Sequence, residues 1–403
     1  MRTIKFHTLG CKVNQYDTQS IRERFLERGF KENSNGKKAD VYLINTCTVT
    51  SIADRKSRDI IRRCIKLNPK AKVIVTGCLV EKDSVSLAGI KGLSLIVSKR
   101  FFSEGISKFS GHTRAFLKVQ DGCDNFCSYC KVPLARGVSR SRPLSDIIAD
   151  ARSLARNGFK EIVLSGICLG SYGKDLSPKI NLSDVITALE RIEGLLRIRL
   201  SSIEAGDVTD ELIDLMAGSR KLCRHLHIPI QSGDDGILKK MNRKYTRAKY
   251  LSLIRKIKRN IPQISITTDC LVGFPGEGEV GFRNTLDLVK EIIPLKVHIF
   301  PYSRRPGTFA ADNFKDEIAL PVMKERISRL RDAARECSFK HRNKFLHKKM
   351  PVLVEGKIEG NAGLWEGYTD NYIRVIFKSR LNLANKIMGV KIRKICDDFC
   401  QGA

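Results

Sequence analysis

The sequence has no run of 18 apolar residues, so we expect no membrane span. Its first residues, MRTIKFHTLG, do not fit a secretory signal peptide and are predicted to form a short strand. Hydrophobic residues make up 42% of the chain, enough for folded cores, and 403 residues allow two or three domains. We therefore expect a folded, cytoplasmic protein.

Acidic residues are few relative to basic ones. The chain has 43 Asp and Glu against 73 Lys and Arg, a formal net charge of +30. An excess of this size favours a polyanionic partner, most simply nucleic acid, over a surface that is basic only for solubility.

The 13 cysteines do not suit a small disulfide scaffold, because the chain is long and Lys-rich and the count is odd. Cys123, Cys127 and Cys130 lie in DGCDNFCSYC with the spacing C-x3-C-x2-C and no fourth Cys. Structural zinc sites normally use four ligands, and electron-transfer clusters use four Cys. Three Cys can instead hold three irons of a cubane and leave the fourth iron open. We therefore predict a reactive iron–sulfur cluster.

Residues 1–110 alternate short apolar runs with helical patterns, which predicts an α/β fold with a parallel sheet. Strands are predicted at residues 4–8, 41–45 and 73–76, and helices at 15–28 and 53–66. Cys11, Cys47 and Cys78 each follow one of these strands, and ligands gather at the carboxyl ends of strands in open sheets. We predict a second three-Cys cluster there; the alternative is three unrelated buried Cys.

Residues 111–340 repeat a strand and a helix about six times. Strands are predicted at 116–120, 161–165, 197–202, 225–229, 265–272 and 296–300, helices at 145–155 and 280–292, and a long basic helix at 321–349. Six such units predict an open, partial (βα)6 barrel with its site at the carboxyl ends of the strands. The three-Cys loop follows the first strand, at that mouth.

Residues 341–403 are predicted to form a small all-β module. Its strands are predicted at 352–355, 362–368, 372–376 and 387–392. It has 12 Lys and Arg against 6 acids, and a small basic β-barrel of this kind usually holds nucleic acid. The alternative is a dimerisation or packing module. Cys396 and Cys400 are interpreted as solvent-exposed and incidental.

Three groups of motifs, in order along the chain, resemble the radical S-adenosylmethionine methylthiotransferases. The first group is TLGCKVNQYD, NTCTVTSIADRKSR and TGCLVE, and the second is the C-x3-C-x2-C loop with HIPIQSGDDGILKKMNRKYTR, TTDCLVGFPGE and HIFPYSRRPGT. The third, EGYTDNYIRV, resembles the TRAM domain, a small RNA-binding β-barrel. The resemblance implies a methylthiotransferase amino-terminal domain (1–110), a radical SAM core (111–340) and a TRAM domain (341–403).

The form of these motifs resembles the branch that acts on N6-threonylcarbamoyladenosine at position 37 of tRNA, beside the anticodon. The N6-isopentenyladenosine branch usually has Gln-Met where this chain has Lys12 and Val13, and the branch that modifies a ribosomal-protein aspartate has a more acidic TRAM domain. Leu134 and Cys168 depart from the usual pattern, and Cys168 is interpreted as incidental. The alternative from another class is a non-catalytic, zinc-stabilised RNA-binding protein.

The resemblance also implies a mechanism with two 4Fe-4S clusters and S-adenosylmethionine. The cluster on Cys123, Cys127 and Cys130 would generate a 5′-deoxyadenosyl radical, which removes hydrogen from C2 of the adenine. The auxiliary cluster on the Cys11, Cys47 and Cys78 triad would carry a sulfur that is methylated and then joined to C2, giving 2-methylthio-N6-threonylcarbamoyladenosine. An electron donor and a sulfur source are implied as partners, and we expect a monomer.

Five residues near the strand ends are candidates for binding S-adenosylmethionine: Ser165, Gly166, Glu204, Gln231 and Arg243. Ser165 and Gly166 are small, which allows the backbone to approach the methionine moiety. Arg243 could neutralise a carboxylate of the cofactor or of the threonyl group, as could Arg304.

Basic stretches supply the candidate RNA contacts, which are Arg136, Arg140, Arg142 and Arg304. The first three lie in residues 131–142, which contain no acid. Residues 239–259 hold ten Lys or Arg and no acid, with two interleaved tyrosines. Tyr245 is a candidate for stacking on a loop base, whereas Tyr250 is predicted to lie in the core.

Overall fold

The structure is a computed structural model that describes residues 2–33, 38–99, 102, 105–361 and 363–403. The amino-terminal part is a five-stranded parallel sheet with the strand order β2-β1-β3-β4-β5. Its elements are β1 (Thr3–Thr8), α1 (Lys12–Glu27), β2 (Lys31–Glu32), β3 (Val41–Thr46), α2 (Ser51–Leu67), β4 (Lys72–Gly77), α3 (Cys78–Ala88) and β5 (Leu95–Ile96). The central strand β3 is buried along its whole length, as its continuous apolar run predicts. Helix α3 was not predicted.

The central part consists of two parallel three-stranded sheets joined edge to edge. Its strands are β6 (Arg114–Lys118), β7 (Gln120–Asp121), β8 (Arg140–Ser141), β9 (Glu161–Ser165), β10 (Arg197–Leu200), β11 (His225–His227), β12 (Ser265–Val272) and β13 (Lys296–Pro301). The sheets β6-β9-β10 and β11-β12-β13 meet through the parallel bridges Ile198–Leu222 and Ser202–His227. Six parallel strands thus form the predicted open barrel, and β7 and β8 form a small separate ribbon.

Helices cover the outside of this barrel. Helix α4 (Val132–Arg136) instead follows the loop that carries Cys123, Cys127 and Cys130. The remaining helices are α5 (Leu144–Arg156), α6 (Leu182–Glu190), α7 (Asp210–Gly218), α8 (Asp235–Lys240), α9 (Arg247–Asn260), α10 (Glu279–Ile292), α11 (Phe309–Asn313) and α12 (Leu320–Asn343). The prediction of a helix to residue 349 was wrong. Helix α12 ends at Asn343 because Phe345 turns into the core of the carboxy-terminal barrel, and His347 adopts a left-handed φ of 65° before the next strand.

The carboxy-terminal part is a closed five-stranded barrel with the strand order β14-β15-β16-β18-β17. Its strands are β14 (Lys349–Lys357), β15 (Leu364–Thr369), β16 (Arg374–Lys378), β17 (Ile387–Ile395) and β18 (Cys400–Gly402). Residue 362, where we predicted the second strand to begin, lies outside the described residues. The interpretation of Cys400 as solvent-exposed was wrong, because β18 places its side chain in the barrel core beside Trp365.

This barrel packs against the amino-terminal ends of the central strands. Glu161 is fully buried there and pairs with Arg199, with Nε 2.6 Å from Oε1. Arg199 donates to the backbone carbonyl oxygens of Asp370 and Thr369, and the ring of Tyr372 stacks on that of His225 at 4.5 Å. The opposite ends of the strands, where the Cys loop lies, therefore face the amino-terminal sheet.

Within the described residues, no helix combines the length and the apolar character needed to cross a membrane.

Candidate functional site

The amino-terminal Cys triad, defined as Cys11, Cys47 and Cys78, follows three adjacent strands. Cys11 precedes α1, Cys47 follows β3, and Cys78 opens α3 directly after β4. Because β1, β3 and β4 are neighbours and parallel, their carboxyl ends meet at one edge of the sheet. The predicted convergence of these residues is therefore present in the fold.

Glycine is required beside this triad. Gly10 has a φ of 101°, and a Cβ at this position would lie 2.9 Å from both Cβ and Sγ of Cys47. Gly77 also has a positive φ, and a Cβ there would meet Asn45 and the backbone of Thr46. Side chains larger than hydrogen would push the Cys turns apart.

The barrel Cys triad, defined as Cys123, Cys127 and Cys130, lies on the loop between β7 and α4. Ser128 fixes this loop, since its Oγ donates to the carbonyl oxygen of Lys240 at 2.7 Å and its own carbonyl accepts from the Ala310 amide. The Val132 amide donates to Sγ of Cys130 at 3.4 Å. A backbone N–H aimed at sulfur favours a thiolate at this position.

Arg136 stands beside the amino-terminal Cys triad. Its Nε donates to Sγ of Cys78 at 3.2 Å, and its Nη1 donates to Asp121 at 2.7 Å. Burial raises the pKa of the Asp121 carboxyl, but Arg136, Lys118 and Lys99 outweigh burial and hold that pKa well below its usual range. Arg136 is 3% exposed, and its guanidinium interacts with Cys78 and Asp121. The prediction that it contacts RNA is therefore corrected.

Arg243 has the same kind of position beside the barrel Cys triad. Its Nη1 donates to Sγ of Cys127 at 3.2 Å, and its Nη2 forms a close ion pair with Glu204. Burial raises the pKa of Glu204 and Arg243 opposes that rise. The proposed stacking role of Tyr245 is corrected as well, because its hydroxyl is buried and donates to the carbonyl oxygen of Pro229 at 2.9 Å.

A single cavity of about 380 Å³ joins these features. Both Cys triads line it, together with all five residues predicted to bind S-adenosylmethionine, Ser165, Gly166, Glu204, Gln231 and Arg243. Gln231 adopts a left-handed φ of 58°, which is uncommon outside glycine and typical of functional turns. Segments that are far apart in sequence thus converge on one volume.

The sulfurs of each triad are spaced more widely than the ligands of a single zinc ion. Burial raises the pKa of Cys47 to about 11, and the nearby Cys78 and Cys11 raise it as well, so these thiolates need positive charge. In the described chain, one group of three His, Cys, Asp or Glu brings its ligand atoms within 4.8 Å of one another, namely His227, Asp269 and His298. Neither Cys triad is that close, whereas sulfurs around one zinc would lie about 3.8 Å apart.

Cys168 lies beside the barrel Cys triad. The thiol of Cys168 has two acceptors: the sulfur of Cys123, whose pKa this hydrogen bond lowers while it raises that of Cys168, and Oδ2 of Asp207 at 3.8 Å. The side chains of Ser171 and Asn125 donate to Cys168 at 3.0 and 3.4 Å. Sequence analysis noted Cys168 only as a departure from the usual family pattern and interpreted it as incidental.

The remaining candidate RNA contacts differ in exposure. Arg142 is buried, donates to the carbonyl oxygen of Lys118 at 2.8 Å and pairs with Asp150, so its predicted role at an RNA surface is also corrected. Arg140 is exposed. Arg304 is exposed and pairs with Glu317 at 2.9 Å.

Two further side chains confirm or extend the sequence analysis. Tyr250 is buried and donates to the carbonyl oxygen of Ile228 at 2.8 Å, which confirms its predicted place in the core. Arg305, which sequence analysis missed, donates to the carbonyl oxygen of Thr48 at 2.9 Å and pairs with Asp54. It therefore ties the loop after β13 to the amino-terminal sheet.

An open parallel barrel with a three-Cys loop after its first strand defines the class of protein: this is a radical S-adenosylmethionine enzyme. Residues 117–289 match the radical SAM superfamily, and residues 3–98 match a family described as uncharacterized protein family UPF0004. The fold is also that of TsrM, a radical S-adenosylmethionine methyltransferase from Kitasatospora setae, with a TM-score of 0.55 at 15% identity over 77% of each chain.

Full-length relatives define the family more narrowly. A protein of Bacillus subtilis named threonylcarbamoyladenosine tRNA methylthiotransferase MtaB is 39% identical, over 100% of this chain and 96% of its own. Its namesake in Thermotoga maritima is 33% identical, over 99% and 96%. A Clostridium tetani protein named tRNA-2-methylthio-N(6)-dimethylallyladenosine synthase is 34% identical, over 99% and 96%. The chain belongs to the tRNA methylthiotransferase family.

Proposed function

We propose that this enzyme methylthiolates C2 of N6-threonylcarbamoyladenosine at position 37 of tRNA, using two 4Fe-4S clusters and S-adenosylmethionine. One observation carries the proposal: two three-Cys sets from separate parts of the chain line the same cavity of about 380 Å³. Insertion of sulfur into a C–H bond needs a radical source and a sulfur carrier within reach of one carbon. A cavity with one Cys set alone would supply only the radical source.

The barrel Cys triad would hold the radical-generating cluster, and the amino-terminal Cys triad would hold the cluster that carries sulfur. When bound, these groups supply a 5′-deoxyadenosyl radical and a methylated sulfur. Three protein ligands at each site leave coordination room for a small molecule, which a four-Cys site does not.

The protein's own residues prepare the cavity. Arg136 and Arg243 each donate to a cysteine sulfur and so favour the thiolate that binds iron. Ser165 and Gly166 leave space at the end of β9, where a Cβ on Gly166 would lie 3.0 Å from Oε1 of Gln120. Glu204 and Gln231 line the same wall and provide acceptors for the amine and hydroxyl groups of S-adenosylmethionine.

The proposed RNA-binding surface consists of the carboxy-terminal barrel and a groove of about 730 Å³ between β13, α12 and that barrel. Arg331 and Arg335 line the groove together with Tyr368 and Tyr372, whereas Arg374 in the same groove is paired with Glu366 and Asp398. Cations that hold phosphates beside aromatic rings suit an unstacked tRNA loop. Arg140 on β8 is exposed and lines a separate cavity of about 400 Å³ with Lys99 and Lys118, which offers a second basic surface to RNA. A tRNA substrate implies a cytoplasmic enzyme.

The choice of threonylcarbamoyladenosine is supported by the names of several relatives, including the one that is 39% identical. Relatives named for dimethylallyladenosine are 34 to 36% identical, so identity alone does not separate the two substrates. Nucleoside mass spectrometry of tRNA from a strain that lacks the gene tests the choice. We expect loss of 2-methylthio-N6-threonylcarbamoyladenosine, and loss of the methylthio-isopentenyl nucleoside instead would reject it.

Iron analysis tests the two clusters. After anaerobic reconstitution we expect about eight irons per chain, and about four when Cys11, Cys47 and Cys78 are all replaced by Ala. An unchanged iron content in the triple variant would reject the amino-terminal cluster. A colourless zinc protein that forms no 5′-deoxyadenosine with S-adenosylmethionine and a reductant would reject the enzyme mechanism altogether.

A further inference from the structure

Three strands of the central barrel bring two histidines and an aspartate together. His227 lies on β11, Asp269 on β12 and His298 on β13. Asp269 is in register with His298, and His227 is in register with Thr267, two residues before Asp269. Because side chains two residues apart on a strand point to the same face, the three side chains share one face of three adjacent parallel strands.

Their ligand atoms are close enough to meet at one metal ion. One ligand atom of each side chain lies within 4.8 Å of the other two, and Nε2 of His227 lies 3.1 Å from Oδ1 of Asp269. Two ligand atoms that are each about 2.1 Å from one ion lie roughly 3.0 to 3.4 Å apart. The His227–Asp269 distance already has this value, so binding requires only that the His298 ring turn toward this pair.

Thr267 can orient His227 as a metal ligand. Its Oγ1 lies 2.9 Å from Nδ1 of His227. When Thr267 accepts from Nδ1–H, the lone pair on Nε2 of a neutral His227 points toward Asp269 and is free for a metal. Ligating histidines usually have such a partner for the second ring nitrogen, which fixes the ring and its tautomer.

The opposite tautomer of His227 is the competing arrangement, in which Nε2–H donates to Asp269 without an ion. His225 favours it, since its Nε2 lies 2.9 Å from the same Thr267 hydroxyl and its Nδ1 is buried without a partner in the described residues. If Thr267 donates to His225, an unpaired N–H is left at that Nδ1. Metal–ligand bonds must exceed the cost of that N–H.

The carboxylate of Asp269 lacks a permanent cation. In the ranges that the structure describes, it pairs with no Lys or Arg, although its side chain is only 24% exposed. A carboxylate that is largely removed from water is stabilised by a cation or by several donors, and His227 supplies at most one donor. Asp269 lines the Cys cavity, whereas His298 lines the basic groove. A divalent ion would neutralise this carboxylate at the wall between the two volumes.

We propose that His227, Asp269 and His298 form a site for a divalent transition-metal ion, separate from both Cys triads. Two imidazoles and one carboxylate suit Zn²⁺ or Fe²⁺ and leave positions open for water or another oxygen ligand. Calcium and magnesium prefer sets of oxygen ligands and fit this group poorly. The ion would join β11, β12 and β13 beside the Cys cavity. The site does not depend on which nucleoside the enzyme modifies.

The test adds Zn²⁺ to full-length enzyme that carries its iron–sulfur clusters, after a mild chelator has removed mononuclear ions and spared the clusters. After gel filtration we expect about one zinc per chain by elemental analysis, with the iron content unchanged. X-ray absorption at the zinc edge should show nitrogen and oxygen at about 2.0–2.1 Å and no sulfur at about 2.3 Å. This measurement on the wild type needs no variant.

Variants assign the zinc to the three residues. Asp269→Asn and His298→Gln should each lower the affinity for zinc more than about 100-fold, since loss of a partner that only orients a ligand already costs about 10- to 100-fold. His347→Gln is the matched control, because it removes an exposed histidine on the turn before β14. Zinc should raise the midpoint of thermal unfolding of the wild type and of His347→Gln, but not that of the other two variants.

Three results would overturn the metal site. They are a wild type that binds no zinc, zinc that both site variants retain at the affinity of the wild type, and zinc with sulfur in its coordination shell. The first would leave His227 and Asp269 as a hydrogen-bonded pair, and the other two would place the ion elsewhere in the chain. None of these results bears on the methylthiolation of adenosine, which the nucleoside analysis tests separately.

Discussion

The guanidinium of Arg136 donates from Nε to Sγ of Cys78 across 3.2 Å, and from Nη1 to Asp121 across 2.7 Å. Cys78 belongs to the amino-terminal sheet, whereas Arg136 and Asp121 frame the Cys loop of the barrel. One side chain thus joins the two halves of the cavity. Its burial makes the contact sensitive to a single substitution.

Replacing Arg136 by Gln should remove about half of the iron after reconstitution, because Cys78 loses the cation that favours its thiolate. It should also lower the free energy of unfolding by about 1–3 kcal/mol, since the half-buried Asp121 loses its closest partner but keeps Lys99 and Lys118. Iron analysis and denaturant unfolding measure the two effects. Arg140→Gln is the matched control, because Arg140 is exposed; equal losses in both variants would contradict the role of Arg136.

Replacing Gly10 by Ala should disturb the amino-terminal Cys triad specifically, since the new Cβ would lie 2.9 Å from Sγ of Cys47. We expect about four irons per chain and continued formation of 5′-deoxyadenosine. Gly29→Ala provides the control, because Gly29 also has a positive φ, 81°, but no heavy atom lies within 4 Å of its added Cβ. A full iron content in Gly10→Ala would show that the triad tolerates the contact.

Replacing Cys168 by Ala should make the barrel cluster harder to reduce. The Cys168 thiol donates to Cys123, and a donor to a ligand sulfur stabilises the extra negative charge of the reduced state. Loss of about 1 kcal/mol would lower a one-electron potential by about 40 mV. Redox titration followed by EPR, in protein without the amino-terminal Cys triad, measures this. Cys168→Ser retains a donor and should keep the original potential; equal shifts in both variants would argue against the hydrogen bond.

Replacing Arg199 by Met should destabilise the contact between the central barrel and the carboxy-terminal barrel by about 3–5 kcal/mol, because Glu161 would remain buried with a weakened partner set. Burial raises the pKa of Glu161, and Arg199 with its neighbours outweighs burial and lowers it. The double variant Glu161→Gln, Arg199→Met should recover part of the loss. Denaturant unfolding of both variants checks this, and strictly additive losses would contradict the coupling.

Acid should weaken the fold through His341. Burial lowers the pKa of this imidazole to about 3, with Lys344, Lys258 and Arg342 contributing in the same direction. Between pH 6.5 and 3 the unfolded chain therefore binds a proton at this residue that the folded chain does not, so stability falls as the pH falls. At pH 5 the loss from this residue is about 2 kcal/mol.

Unfolding of the wild type and of His341→Gln between pH 8 and 5 tests this assignment. The variant loses the hydrogen-bonded ring at Ser265 and should start less stable, but its stability should fall less steeply with acid. Parallel curves would assign the acid sensitivity to other groups.

The sequence predicted most of the fold because strand and helix periods are local signals. Strands β3 and β4 follow from continuous apolar runs, and β1, which precedes Cys11, follows from the alternation of Ile4 and Phe6 with polar residues. The end of α12 does not follow from such a signal, because Phe345 leaves the helix to fill a core formed by strands that lie 5 to 55 residues further along the chain. Strand β18 is three residues long and is held by pairing, so its sequence carried little information.

The site residues could be predicted where the spacing between cysteines, or their place directly after a strand, indicated them. Both Cys triads follow strands, and topology brings strand ends together. The runs of basic residues in the sequence predicted the RNA contacts less well. Arg136 and Arg142 lie in a run without acids, yet each pairs with a carboxylate that is distant in sequence, Asp121 and Asp150. Only the folded chain shows which cations are already neutralised.

The carboxy-terminal barrel is attached to the amino-terminal ends of the central strands. The length of these strands therefore fixes the distance between that barrel and the Cys cavity. Strand β9 runs from Glu161 to Ser165, four residue steps, so roughly 13 Å of sheet separates the Glu161 contact from the end of β9 at the Cys cavity. In an enzyme that binds the RNA backbone with this barrel, the nucleotide that reaches the cavity is determined by its distance from the bound backbone as well as by its chemistry. The length of the central strands would then help to determine which position of the RNA loop is modified.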